Sequence, residues 1–123
     1  MRESQYWVLF IAAAVVMVVL LGVHMAMLHL EGILAMLGVE IGDVLEYSSV
    51  MTRAGSAFWT FFYIAFLAVA LYHGLYGVRA ILLEVTNGES AGRTVTGLVV
   101  VVGLAAFVYG TFILLQSFKM GGI

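Results

Sequence analysis

Five ionisable side chains lie in or at the ends of long apolar runs: His24, His29, His73, Arg79 and Glu84. Such groups are costly to hold in an apolar environment and are therefore candidates for function. With His73 as origin and an advance of about 100° per residue, a helix places Tyr76 near −60°, Gly77 near +40°, Ala80 near −20° and Glu84 near +20°. His73, Gly77, Ala80 and Glu84 thus share one stripe, and Arg79 sits off it at about −120°. Neutral imidazole is a good axial ligand for haem iron, and a porphyrin lying against a helix needs missing side-chain volume beside that ligand. Gly77 offers such a notch one turn from His73. Arg79 could neutralise haem propionates, because a guanidinium matches carboxylates and its stem can snorkel to the membrane surface. Glu84 lies about 16 Å further along at 1.5 Å per residue, too far to ligate the same iron. It could instead line a proton-accessible surface site at which a quinone is reduced. Plainer readings stand beside these: His73 as an interhelical hydrogen-bonding residue, and Glu84 as a solvated helix end.

His24 and His29 are five residues apart, about 140° around a helix, so they cannot share one face. His24 falls about 9 Å past the middle of its run and His73 about 4 Å past the middle of the returning one, on opposite sides. Two axial ligands of one upright haem must sit at nearly one depth. His24 is therefore either structural or a ligand of a second haem nearer the other face, and His29 reads as an interfacial residue. Tyr6, Trp7, Phe58 and Trp59 lie at run ends, where aromatic belts are expected. Tyr72 and Tyr76 flank His73 and could touch a cofactor or simply pack. Met25, Met27, Met36 and Met51 are not spaced like a copper site, and Ser56, Ser90 and Arg93 cannot be ranked as quinone or docking residues. No nucleotide-binding glycine loop, Ser–His–Asp set or cluster of hard metal ligands is present.

The elements that must carry these residues follow from composition. Of 123 residues, 64% are hydrophobic and 10% charged, and the mean hydropathy is +1.15. Soluble domains carry about a quarter charged residues, so too little polar material is present to cover a water-facing surface. A net charge of −2 without a basic cluster excludes a nucleic-acid footprint. The absence of cysteine excludes disulfides, thiolate metal sites and cysteine nucleophiles within the chain, and the absence of proline suits long helices.

Three runs, about 7–30, 57–83 and 94–118, are each long enough to cross a hydrocarbon core, which takes about 20 helical residues. Backbone groups in lipid must be satisfied within the segment, which selects helices, and a β-barrel would show short alternating segments instead. The expected fold is an all-α membrane protein, a single domain over 1–123 with three transmembrane helices. The first run is too long for the apolar core of a cleaved signal and is expected to be retained. The N-terminus lacks transit-peptide character, which points to a prokaryotic cytoplasmic (inner) membrane. Between the first two spans, Ile33, Leu34, Leu37, Ile41, Val44 and Leu45 recur at spacings of three and four, which predicts an amphipathic helix in that connection. The second connection, Glu84–Arg93, contains the turn pair Asn87-Gly88 and makes the last two spans antiparallel neighbours. Arg2, Arg79 and Arg93 fall on one side and Arg53 and Lys119 on the other, which favours a cytoplasmic N-terminus. Glycines at 22, 74, 77, 97, 103 and 110 would let helices approach closely, and so small a bundle is expected to live in a larger complex.

The stretch His73-Gly-Leu-Tyr-Gly-Val-Arg-Ala-Ile-Leu-Leu-Glu84 resembles the second-helix motif of the membrane-anchor (cytochrome b) subunits of succinate dehydrogenase, respiratory complex II. That motif reads His-x3-Gly-x-(Arg or aromatic)-x4-Asp. Length, span number, the short loop after the motif and a third helix ending near the C-terminus agree with it. The resemblance implies that His73 is an axial ligand of haem b and that a second anchor subunit supplies the opposite ligand. It also implies that Glu84, where the family usually has Asp, lies near the quinone site. A Tyr often follows that Asp in the family; here the residue is Val85, so the quinone-bonding hydroxyl must come from elsewhere. His24 would be either structural or, as in the two-haem members, a ligand of a second haem. The implied partners are a flavoprotein subunit that oxidises succinate, an iron–sulfur subunit and the second anchor, together with quinone and lipid. Two alternatives are a haem-free fumarate reductase anchor and a small membrane scaffold or transporter component without cofactor.

Overall fold

A computed structural model describes residues 2–122 and contains five helices: α1 (Glu3–Leu28), α2 (Leu30–Met36), α3 (Tyr47–Ala54), α4 (Ala57–Val85) and α5 (Glu89–Gly121). Met1 and Ile123, the ends of the expected domain, lie outside the described residues. α1, α4 and α5 are long and apolar enough to cross a membrane, with 26, 29 and 33 residues. α1 and α5 begin, and α4 and α5 end, beyond their apolar runs in polar termini that hydropathy leaves out, while α1 stops at Leu28, two residues short of its run. α1 starts at Glu3 because the Gln5 side chain accepts the Arg2 backbone N–H at 2.7 Å and holds the first turn. α5 starts at Glu89, just after the Gly88 turn, and Arg93 pairs with Glu89 one turn later at 3.0 Å.

The connection between the first two spans differs from its predicted form. The helix stops at Met36, and residues 37–46 are irregular, so four of the six periodic apolar residues are not helical. Gly38, at φ +80°, turns the chain through a region that other residues rarely adopt. The Asp43 carboxylate then accepts the Leu45 backbone N–H at 2.9 Å in a local turn. The amphipathic helix of this connection is α3 instead. Arg53 on α3 reaches back to donate to the Val44 carbonyl at 2.7 Å, and Val44 is buried beneath the loop.

α4 is the central element, with α1 on one side and α5 on another; α1 and α5 do not pack on one another among the described residues. The α4–α5 seam uses missing volume. A Cβ at Gly103 would lie 2.9 Å from Leu75 Cδ1, and one at Gly110 would lie 2.6 Å from Leu67 Cδ2. Two leucines of α4 thus seat in two glycine gaps of α5, the small-residue packing expected where lipid supplies no hydrophobic drive. At the far end α3 crosses α5, and the Gly55 and Gly121 backbones meet with no room for a side chain. Only Val44, Phe62 and Thr60 are buried among the described residues, so the long helices expose their apolar surfaces.

Candidate functional site

His73 sits on the face of α4 that meets α1. Its Nδ1 lies 3.1 Å from the backbone carbonyl oxygen of Phe10. A carbonyl can only accept, so Nδ1 carries the proton and donates, and the neutral ring keeps its lone pair on Nε2. No hydrogen bond is made by Nε2 among the described residues. The Phe10 ring stacks flat on the imidazole, with centroids 4.3 Å apart and planes 3° from parallel.

The same ring borders Gly77: a Cβ there would meet Phe10 Cε2 at 3.7 Å, an ordinary contact, so a methyl would fit. The open space lies on the next flank of α4. A Cβ at Gly74 would meet nothing within 4 Å, and Val78, Ile81 and Val85 continue an exposed apolar strip from it. A flat cofactor suits this arrangement through the donor rather than through the predicted notch. An imidazole whose Nδ1–H is pinned by a carbonyl is in the tautomer and orientation that a metal ligand requires.

One to two turns towards the end of α4, Arg79 joins all three long helices. Its Nη1 donates to Glu3 Oε1 on α1 at 3.0 Å, and its Nε donates to Thr96 Oγ1 on α5 at 3.0 Å. Tyr76 donates its hydroxyl to the same Glu3 oxygen at 3.0 Å, and Tyr72 donates to the Tyr6 carbonyl at 2.7 Å. These groups line a cleft of about 270 Å³ between α1, α4 and α5. Arg79 therefore lies at the polar end as expected, but two of its nitrogens are already engaged within the chain. Glu84 is exposed on the last turn of α4. The residue after it, Val85, is also exposed and carries no hydroxyl.

His24 is held elsewhere. The Tyr63 and Phe66 rings stand edge-on to it, each 5.6 Å away, and its Nδ1 is buried without a hydrogen-bond partner. Those neighbours place it roughly 10–15 Å from His73 along α4 at 1.5 Å per residue, so the two histidines occupy different levels. His29 closes α1: its Nδ1 donates at 2.8 Å to the Met25 carbonyl, which also accepts the His29 backbone N–H at 3.2 Å.

Sequence reasoning brought His73, Gly77, Arg79 and Glu84 together on one helix and missed the residues that face them. Phe10, Glu3, Tyr6 and Thr96 come from α1 and α5. Phe10 in an apolar run carries no signal. Glu3 did carry one, because an acid at the start of α1 must lie at the same membrane level as Arg79 near the end of an antiparallel α4.

The chain is similar to two curated proteins that share one name, "Succinate dehydrogenase hydrophobic membrane anchor subunit". It is 27% identical to the one from Thermoplasma acidophilum over 101 residues, covering 81% of this chain and 75% of that protein. It is 26% identical to the one from Archaeoglobus fulgidus over 112 residues, covering 91% of this chain and 88% of that protein. No family model matches the chain, and no solved structure does. The resemblance carried by the His73–Glu84 stretch is thus matched by relatives aligned over most of the chain.

Proposed function

We propose that this chain, like those two anchor subunits, is a hydrophobic membrane anchor of a succinate dehydrogenase complex, with His73 as an axial ligand of haem b. The observation that carries the ligand reading is the hydrogen bond from His73 Nδ1 to the Phe10 carbonyl, which leaves Nε2 as the nitrogen with a free lone pair. When bound, haem b supplies a one-electron relay; the chain supplies position and electrostatics. The exposed flank at Gly74 gives a second anchor subunit, bearing the opposite ligand, a place to close the site. With Nη1 and Nε engaged by Glu3 and Thr96, Nη2 is the Arg79 nitrogen left to meet a propionate. Glu84, exposed at the same end, would hold a proton for quinone reduction; the hydroxyls of Tyr76 and Tyr72, about 12 and 18 Å back along α4, are given to Glu3 and Tyr6 instead.

The flavoprotein and iron–sulfur subunits would dock at that end, for which the distribution of arginines favours the cytoplasmic side of a prokaryotic inner membrane. His24 would meet the iron of a second haem only through Nε2, because its Nδ1 is enclosed by the chain. A reduced-minus-oxidised spectrum of the purified complex, with haem counted per copy of this chain, tests the reading. One b-type haem that disappears in His73→Ala supports it. Two haems, one of them lost in His24→Ala, would assign His24 as a ligand. A complex that contains this chain and no haem would overturn the ligand assignment and leave a quinone-only anchor.

A further inference from the structure

We infer that Phe10 is the positioning residue of the His73 imidazole: its carbonyl sets the tautomer, its ring sets the plane, and the first turns of α1 hold both in register. The inference rests on the haem reading of His73. Rotation about the Cβ–Cγ bond of a histidine has a broad, roughly two-fold profile, so the side chain alone does not fix the ring plane. Two neighbours fix it here. The bond from Nδ1 to the Phe10 oxygen, at 3.1 Å, holds one edge of the ring. The Phe10 ring, 3° from parallel at 4.3 Å, lies along one face. A turn of a few tens of degrees breaks the bond and lifts the stacked faces apart together.

Both constraints come from one residue of α1, so they hold only while α1 keeps its register on α4. That register is set one to two turns away by Tyr72 on the Tyr6 carbonyl and by Tyr76 and Arg79 on the Glu3 carboxylate. The plane of an axial imidazole, relative to that of the opposite ligand, sets the splitting of the iron d orbitals. A positioning residue is therefore visible in the low-field paramagnetic resonance of the ferric haem, which a merely structural contact leaves alone.

The experiment is electron paramagnetic resonance on the oxidised complex in its membranes, with haem content read from the reduced spectrum. Phe10→Leu keeps an apolar side chain of most of the volume and removes the flat face; its low-field haem signal is expected to shift and broaden while haem content is retained. Phe10→Tyr keeps the flat face and is expected to keep the wild-type signal. An unshifted, narrow signal in Phe10→Leu at full haem content overturns the inference. The ring ¹⁵N shifts of His73 in the labelled full chain in lipid bilayers, assigned by their loss in His73→Gln, provide a readout independent of haem. The Nδ1–H tautomer is expected, and a dominant Nε2–H tautomer overturns the inference whatever the haem content. A wild-type complex without haem overturns the ligand reading, and the tautomer then decides the part of Phe10 that concerns the ring alone.

Discussion

A histidine whose Nδ1 is bonded to a carbonyl has one nitrogen left for any other task, and at His73 that nitrogen makes no hydrogen bond among the described residues. The glycines around it differ in what they do. Gly77 touches Phe10 at an ordinary distance, so Gly77→Ala is expected to be neutral or to stabilise by up to about 1 kcal/mol through helix propensity. Gly74 borders open space. On the proposed haem reading, Gly74→Leu is expected to leave the helix intact by circular dichroism and to reduce haem content sharply, because its side chain would fill the open flank next to His73. Haem counts in the two variants, side by side, test which glycine makes room. At Glu3 and Arg79 the pair is partly exposed, with Arg79 at 23% and Glu3 at 66%. Glu3→Gln is therefore expected to cost no more than about 1 kcal/mol in thermal unfolding, with the difference shrinking as salt is added. His73 was legible from its residue type inside an apolar run. Phe10 was not, because a contact between residues this far apart in sequence leaves no mark on local pattern.

At the scale of elements, the three spans were legible because an apolar run long enough to cross lipid has few other ways to fold. The connection was not. Spacings of three and four at Ile33–Leu45 imitate an amphipathic helix, yet Gly38 at positive φ and the Asp43 turn break it, and α3 takes that role. Gly38→Val is accordingly expected to cost about 1–2 kcal/mol in detergent unfolding, the penalty of a left-handed conformation for an L side chain. The glycine gaps of α5 were visible as small residues, but which leucine fills each gap is a matter of register. Gly110→Val would press on Leu67 and is expected to cost about 1–3 kcal/mol, as overpacking does. Adding Leu67→Ala should recover part of that loss, which a double-mutant cycle on the melting midpoint measures.

Across the whole molecule, very few side chains among the described residues are buried by the chain itself, so most of its apolar surface is left for its surroundings to cover. Backbone protection should be uneven in consequence. Residues 40–44, whose backbone N–H groups make no hydrogen bond among the described residues, are expected to exchange amide hydrogens far faster than the middle of α4, as hydrogen-exchange mass spectrometry would read out. α4 also stands between two helices that do not pack on one another, and Arg79 is the side chain that bonds to both. Descent with modification would act on such an arrangement as on two separate books bound to one spine. Compensating substitutions should pair α1 with α4 and α4 with α5, so that the outer helices drift independently while the middle one answers to both.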